Sequence, residues 1–260
     1  MKQMQRVKDI NISVRNLTKR FNNSVILKNL NLDVLKGETV LLLGLNGSGK
    51  STLLKCIMDL LEIDQGEITI SDLKYNSSSK AIKQLFGISA DYNPLIEEFT
   101  GIEYLEFFGA AYNIPDPELG HRIQSLLSYF FEDPKDGYKL IALYSSGMKK
   151  KLSLCSAFLN KPAILILDEP FTSLDLVAAN NLIALLKQYQ NTDRIIIIVS
   201  HELAAISDIV SHVAVITNQT IYVKSSIDDF THCRTKSISE AFYDLLNLNL
   251  DEKDSTLDLI

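Results

Sequence analysis

The sequence predicts an α/β fold in which most strands of the central sheet are parallel. Three apolar runs have the length of a buried strand: residues 39–43, 163–167 and 195–199. Residues 174–189, between the second and third runs, repeat their apolar side chains at helical spacing. Because a strand, a helix and a second strand in this order form a parallel pair, the central sheet is predicted to be mainly parallel.

The first part of the chain predicts an antiparallel β subdomain. Apolar and polar residues alternate from Ile12 to Leu35, and the turn-prone residues Asn22, Asn23 and Ser24 interrupt the alternation. A period of two places apolar side chains on one face of a strand, so short antiparallel strands are expected. Residues 1–11 lack the apolar segment of a signal peptide and are interpreted as an N-terminal extension.

An α-helical subdomain is predicted as an insertion at about residues 92–160. Thr100 and Glu103 have the spacing of a capping box, in which each side chain bonds to the backbone of the other residue. The apolar residues that follow lie on one face of a helix: Ile102, Leu105, Phe108 and Ala111. The helical pattern continues in residues 123–131.

The chain is predicted to close with a strand pair and a last helix. Residues 213–216 and 220–223 have the pattern of paired strands, and a capped amphipathic helix begins after Ser237. No internal repeat or low-complexity linker divides the sequence. We therefore predict a single domain over residues 12–226, followed by a C-terminal helix and an acidic tail over residues 227–260.

The composition indicates a globular protein and limits its partners. Hydrophobic residues make up 46% of the 260 residues and charged residues 22%, both close to the globular average. The net charge of −6 argues against a protein that binds nucleic acid through charge. No apolar run approaches the roughly 20 residues of a membrane helix. Three widely spaced cysteines predict neither a disulfide framework nor a zinc site, which suits a reducing cytoplasm.

Residues 44–51 carry the pattern GxxxxGKS in full, between the first apolar strand and a predicted helix over residues 51–61. Glycines allow backbone N–H groups to converge on phosphate oxygens, a lysine reaches the β- and γ-phosphates, and a serine hydroxyl binds Mg²⁺. The alternative, a chance glycine turn, fits this context poorly. The predicted nucleotide-binding residues are Gly44, Leu45, Asn46, Gly47, Ser48, Gly49, Lys50, Ser51 and Thr52.

Two acidic residues, Asp168 and Glu169, follow the apolar strand at residues 163–167. The carboxyl ends of parallel strands meet at the ligand-binding edge of an open sheet, so these carboxylates are predicted to lie beside the phosphate loop. Asp168 is a candidate Mg²⁺ ligand together with Ser51, and Glu169 a candidate general base. Taken alone, the pair would be interpreted as an ordinary acidic turn.

From about Ile12 to Val223 the chain resembles an ATP-binding cassette (ABC) nucleotide-binding domain, which has a P-loop NTPase core. The segment Leu143-Tyr144-Ser145-Ser146-Gly147-Met148 stands where that family has its LSGGQ signature. Ser173-Leu174-Asp175 resembles the D-loop, and Val199-Ser200-His201-Glu202 resembles the switch-histidine segment. This set of motifs in one chain is more specific than any one of them.

The resemblance implies that the chain binds ATP with Mg²⁺ and hydrolyses it. It implies catalytic roles for Lys50, for Glu169 and for His201, which would hold the γ-phosphate and the attacking water. Phe21 stands where the family has an aromatic residue that stacks on adenine.

The resemblance also implies a head-to-tail dimer, either a homodimer or a heterodimer with a related cassette. Ser145 and Gly147 of one chain would face the γ-phosphate bound by the other chain, and Asp175 would couple the two sites. Helix N-termini attract phosphate, which supports this role for the signature segment.

Two departures from the family pattern affect the expected site. Asp91 stands at the position of the Q-loop glutamine, where it can still contact Mg²⁺ or the attacking water but adds negative charge beside the phosphates. Ser146 and Met148 replace a glycine and a glutamine of the signature. The signature, with residues 100–105, is similar to the cassettes of bacterial ABC-2-type exporters.

The implied function is that of an ATPase subunit, peripheral on the inner face of the cell membrane, that powers a separate permease for export. The permease is expected to dock near the helical subdomain, and no nucleic-acid partner is expected. Two alternatives stay open: an ABC ATPase acting on ribosomes or nucleic acid, and an ATP-binding switch with slow turnover.

Three further features have competing interpretations. Lys149, Lys150 and Lys151 are interpreted as a solvated turn rather than a basic patch. An aromatic stripe is interpreted as core, with a docking groove as the alternative: Tyr104, Phe107, Phe108 and Tyr112. Cys56 follows the phosphate loop closely, so its alkylation is a possible block to nucleotide binding.

Overall fold

The computed structural model describes residues 11–22, 24–90, 95–190 and 193–251. The N-terminal residues 1–10, the tail after residue 251 and the predicted Q-loop residue Asp91 lie outside the described residues.

The first sheet is antiparallel, as predicted, with the strand order β2-β1-β4-β5. Its strands are β1 (Asn11–Phe21), β2 (Ser24–Leu35), β4 (Gln65–Ile70) and β5 (Leu73–Lys74). The first two strands are longer than the short strands predicted, because shifts in register between Val14 and Arg20 allow the pairing to continue where the alternation breaks.

The second sheet has the order β10-β9-β3-β8-β7-β6 and is parallel from β9 to β6, as predicted. Its strands are β3 (Thr39–Leu43), β6 (Phe86–Ser89), β7 (Ile164–Asp168), β8 (Ile195–Val199), β9 (His212–Thr217) and β10 (Thr220–Ser226). The edge strand β10 is antiparallel to β9 and closes the hairpin expected from the sequence.

Nine α-helices lie in the described parts of the chain. They are α1 (Lys50–Ile57), α2 (Tyr75–Lys83), α3 (Gly101–Ala111), α4 (Asp116–Phe130), α5 (Ser146–Phe158), α6 (Leu176–Gln190), α7 (Leu203–Ile206), α8 (Ile227–Phe230) and α9 (Ile238–Asp251). Among the residues described, no helix is both long and apolar enough to cross a bilayer.

Helix α1 ends four residues before the predicted position, at Ile57 instead of Leu61. Asp59 adopts the left-handed conformation with φ of 57°, and the Leu60 N–H donates to the Lys55 carbonyl at 2.9 Å. This is the pattern of a Schellman motif, which ends a helix by satisfying its last carbonyls.

The predicted capping box before α3 is confirmed. The Glu103 N–H donates to Thr100 Oγ1 at 3.2 Å, and the Thr100 N–H donates to Glu103 Oε2 at 2.7 Å. Helices α3, α4 and α5 then pack on one another and on one face of the parallel sheet. One hydrophobic core contains residues of these helices and of the parallel sheet, including Tyr104 and Leu127 of the helices and Leu41 and Leu165 of the sheet.

Candidate active site

The phosphate loop follows β3 and runs directly into α1, as predicted. Gly49 has φ of 104°, and a Cβ atom there would lie 2.7 Å from Leu27 Cδ2 of β2. At Gly44, a Cβ atom would lie 2.7 Å from the carbonyl oxygen of Ile216 in β9. Only glycine allows this loop to pack closely against both strands.

Lys50 is the first residue of α1, so its backbone lies at the helix N-terminus, where N–H groups are free of helical partners. Its Nζ donates to the carbonyl oxygens of Gly44 at 2.8 Å and Leu45 at 3.1 Å. Partial burial lowers the pKa of Lys50, whereas the carboxylates of Glu169 and Asp168 act to raise this pKa. A positive charge is therefore held within the loop, where phosphate oxygens would lie.

The acidic pair lies at the carboxyl edge of the parallel sheet. Asp168 is the last residue of β7 and pairs in register with Val199 of β8. Glu169 adopts a left-handed backbone with φ of 47°, and its N–H donates to the Val199 carbonyl at 2.8 Å. His201, two residues after β8, contacts the Glu169 carboxylate with both its backbone N–H and its Nε2 atom, each at 3.3 Å.

One cavity of about 420 Å³ brings together most of the site residues predicted from the sequence. Among the predicted residues, it is lined by Phe21, Asn46, Gly47, Gly49, Lys50, Ser51, Thr52, Asp168, Glu169 and His201. Ile26 and Val199 also line it, although neither is among the predicted site residues, because an apolar residue within a strand gives no signal of ligand contact. The volume is within the range of small-molecule sites, and the lining combines a lysine with two carboxylates.

Leu45 and Ser48 face a second cavity, on the other side of the phosphate loop. This cavity has a volume of about 500 Å³ and lies between the loop, the β9–β10 hairpin and α9. Its lining is mostly apolar and contains no lysine or carboxylate among the described residues. Of these two cavities, therefore, only the smaller one has lysine and carboxylate side chains in its lining, as far as the chain is described.

The side chains present fit a nucleotide with Mg²⁺. The phosphate-loop cavity brings the Lys50 amine and the Ser51 hydroxyl together with the carboxylates of Asp168 and Glu169, which are the groups that a triphosphate and Mg²⁺ require. The described residues contain no cluster of three or more His, Cys, Asp or Glu side chains that could hold a metal ion. Mg²⁺ commonly takes one or two protein oxygens together with phosphate and water, which Ser51 and Asp168 can supply.

The predicted signature residues form a separate group. Ser145 is the N-cap of α5, where its Oγ accepts from the Met148 N–H at 3.2 Å. A Cβ atom at Gly147 would lie 2.8 Å from the Ser173 carbonyl oxygen, so the helix start packs tightly on the predicted D-loop. In the part of the chain described here, neither Ser145, Gly147 nor Asp175 lines the phosphate-loop cavity.

The interpretation of the three lysines as a solvated turn is wrong for Lys150 and Lys151. Both are buried in α5, because segments distant in sequence pack over this part of the helix. Lys151 Nζ lies 2.5 Å from Asp175 Oδ2, and this contact, followed by the Ala178 N–H, lowers the pKa of Asp175. Lys149 is partly exposed and pairs with Glu97.

The aromatic stripe is divided between core and surface. Tyr104 is buried, Phe108 is partly buried in the core, and the Tyr112 hydroxyl donates to the Phe86 carbonyl at 3.0 Å. Phe107 is 54% exposed. The core interpretation therefore holds for most of the stripe, while Phe107 presents an aromatic surface.

Cys56 is buried, and burial raises the pKa of its thiol to about 11. The thiolate is the reactive form of cysteine, so this residue is a poor target for alkylation near neutral pH.

Known proteins share both the sequence pattern and the fold. The family model described as "ABC transporter" matches residues 27–172. The ABC transporter ATP-binding protein YthP of Bacillus subtilis is 31% identical over 221 residues, which cover 84% of this chain and 89% of that protein. Nod factor export ATP-binding protein I of Bradyrhizobium diazoefficiens is 34% identical over 164 residues, covering 63% of this chain and 53% of that protein.

Among solved structures, one titled "Structure of ATP binding subunit of ABC transporter" superposes with a TM-score of 0.84. Its sequence is 28% identical, and the match covers 90% of this chain and 99% of that chain.

Proposed function

The chain belongs to the ABC transporter family as an ATP-binding subunit that hydrolyses ATP, and from this premise we propose which residues act and what the reaction powers. The observation that carries the proposal is the single cavity in which the phosphate loop, Asp168, Glu169 and His201 meet.

The phosphate loop binds the triphosphate through its backbone N–H groups and Lys50. The lysine, the helix N-terminus and the open glycine backbone together provide hydrogen-bond donors to the β- and γ-phosphates. Phe21, at the end of β1 and 43% exposed, supplies a face on which adenine stacks. Ser51 and Asp168 hold Mg²⁺, which neutralises charge on the phosphates when bound.

Glu169 acts as the general base. Its carboxylate is within the cavity that contains Lys50, so it can accept a proton from a water aimed at the γ-phosphate. His201 fixes the orientation of this carboxylate through its two contacts and adds a donor toward the γ-phosphate. This complete set favours turnover over the alternative of a binding-only switch.

Hydrolysis takes place in a head-to-tail dimer. Ser145 and Gly147 lie at the start of α5, outside the lining of the cavity in their own chain, so a second copy is needed to bring a signature segment to each nucleotide. Asp175 and Ser173 pack beside this segment and would lie at the same interface. A homodimer is the simplest assembly, because one chain carries every group required.

The partner is a membrane permease, which the subunit drives in the direction of export from the inner face of the membrane. The exporter relative and the names of the other ATP-binding proteins support this proposal. The docking surface is the region between α1 and α3, where a cavity of about 340 Å³ is lined by Met58, Leu60, Phe108 and Tyr112. Ser51 and Asp168 also line this cavity, so it adjoins the proposed Mg²⁺ site. Leu60 and Phe107 are largely exposed at this region, and an apolar helix of the permease would cover them.

The test is the recovery of the partner with the chain trapped in its ATP-bound dimer. The Glu169→Gln variant is purified with ATP and Mg²⁺ from detergent-solubilised membranes, and co-purifying proteins are identified. A multi-spanning membrane protein in stoichiometric amount supports the proposal. Recovery with ribosomes, with nucleic acid or alone contradicts it.

Two further variants test the docking surface. Leu60→Asp and Phe107→Asp, each added to Glu169→Gln, should lose the membrane protein while still dimerising with ATP. The matched control for Glu169→Gln is Glu202→Gln, which replaces an exposed carboxylate beside His201. This control variant should hydrolyse ATP at the wild-type rate.

A further inference from the structure

A buried lysine of α5 contacts the backbone of the proposed general base. Lys150 is 8% exposed, and its Nζ donates to the carbonyl oxygen of Glu169 at 3.0 Å. A lysine is rarely buried to this degree without a role for its charge, because desolvation of an ammonium group is costly. The amine therefore stabilises a particular backbone conformation at the residue that it contacts, Glu169.

The backbone of Glu169 has an unusual conformation. Its φ of 47° lies in the left-handed region, which residues other than glycine adopt infrequently. The parallel strand β7 ends at Asp168, one residue earlier. The Glu169 peptide is held from both sides, since its N–H donates to Val199 at 2.8 Å and its carbonyl accepts from Lys150.

The same residue directs its side chain to His201. Glu169 Oε2 accepts from the His201 N–H at 3.3 Å, and the left-handed backbone that carries this side chain comes directly after β7. A charged donor gives a stronger hydrogen bond than a neutral one, so the lysine is well suited to hold the carbonyl in place.

We propose that Lys150 is a positioning residue for hydrolysis: its ammonium group fixes the left-handed backbone of Glu169 and thereby holds the carboxylate against His201. This inference rests on the proposed role of Glu169 as general base. In this proposal Lys150 acts on the reaction through Glu169 and not by binding the phosphates. Loss of the amine should therefore reduce the rate of hydrolysis without reducing the affinity for ATP.

The helix supplies a matched control. Lys149 is the preceding residue of α5, and its amine pairs with Glu97, on the segment before α3. Lys149→Met and Lys150→Met therefore make the same chemical change at adjacent positions of one helix. Only the second removes the hydrogen bond to Glu169.

The experiment compares Lys150→Met, Lys150→Gln, Lys149→Met and Glu169→Gln in the purified full chain. In Lys150→Met, kcat should fall roughly 10- to 100-fold, since a small displacement of a catalytic group has effects of this size, with the KM and the Kd for ATP unchanged. Lys150→Gln keeps an amide donor and should retain more kcat than Lys150→Met. Lys149→Met should match wild type.

A double-mutant cycle separates positioning from general damage to the fold. If Lys150 acts through Glu169, then Lys150→Met should cause little further loss of kcat in the Glu169→Gln background. Equal fractional losses in both backgrounds, or a wild-type kcat in Lys150→Met, overturn the proposal. If Lys150→Met does not fold, Lys150→Gln decides by the same cycle.

The outcomes also distinguish this inference from the proposed function. A wild-type kcat in Glu169→Gln would show that Glu169 is not the general base, which contradicts the proposed function. A large loss in Glu169→Gln together with no loss in Lys150→Met would keep the base and reject the positioning role.

Discussion

Oε1 of Glu169 lies 3.3 Å from Nε2 of His201, although the two residues are 32 positions apart in sequence. They meet because β7 and β8 are parallel neighbours, with Asp168 opposite Val199 at the carboxyl edge of the sheet. Glu169 directly follows β7 and His201 lies two residues after β8, so the register of the sheet brings the two side chains together.

His201→Ala should lower kcat for ATP hydrolysis by roughly 10²- to 10⁴-fold, the range that a positioned acid–base group contributes. The Kd for ATP should change little, since Lys50 and the loop N–H groups make the main phosphate contacts. Mg²⁺-dependent phosphate release gives the rate, and fluorescence of a labelled ATP analogue gives the affinity. Undiminished phosphate release by His201→Ala would contradict the role assigned to this residue.

The capping box of α3 should make stability depend on pH in the acidic range. Hydrogen bonds from the Thr100 N–H and hydroxyl hold the pKa of Glu103 below its usual range. A lowered native pKa stabilises the fold fully above the unfolded pKa of about 4.3, and this contribution is lost as the pH falls through the native pKa.

Urea unfolding of wild type and Glu103→Gln measures this effect. The difference in the free energy of unfolding should persist from neutral pH to about pH 5 and shrink below about pH 4.3. Glu106→Gln replaces an exposed carboxylate of the same helix and is the control. A constant difference across this pH range would show that the charge of Glu103 has no part in the cap.

Removing the carboxylate of Glu38 should destabilise the domain. Glu38 is buried, and its Oε2 accepts from Lys224 Nζ at 2.6 Å and from the Leu35 N–H at 3.0 Å. Its Oε1 also lies 3.5 Å from His212 Nε2. Glu38→Ala leaves these partners without their acceptor, and a loss of about 2–3 kcal/mol is expected.

Asp33→Ala is the comparison for that measurement, because the Arg15–Asp33 pair lies half-exposed on the antiparallel sheet. Exposed pairs of this kind contribute about 0–1 kcal/mol. Chemical denaturation of the two variants should rank Glu38→Ala as clearly the less stable, and an equal loss in both would contradict the buried role of Glu38.

Thiol labelling should distinguish Cys233 from the other two cysteines. Cys233 is exposed, whereas Cys56 and Cys155 are buried and burial raises the pKa of both thiols. A maleimide at about neutral pH should therefore label the native protein at Cys233 and reach the other two only after denaturation. ATPase activity should survive labelling of the native protein, and its loss with modification at Cys56 would contradict the burial of that thiol.

The sequence alone determined the features that depend on neighbouring residues. The phosphate loop, the Thr100–Glu103 box and the strand before Asp168 each have a sequence pattern that spans only a few neighbouring positions, so these patterns can be read directly. The mainly parallel sheet followed from the same local patterns taken in order, because right-handed connections leave few arrangements.

Only the tertiary structure decided which polar side chains are buried. Lys150 and Lys151 have the sequence of a solvated lysine run, yet both are buried. On the segment that follows β7, the Glu169 carbonyl accepts a hydrogen bond from Lys150, and the Asp175 carboxylate pairs with Lys151. It also placed Ser145 outside the cavity that holds Lys50, which local spacing does not specify. Contacts between distant segments depend on how the whole chain packs, and no short stretch of sequence encodes them.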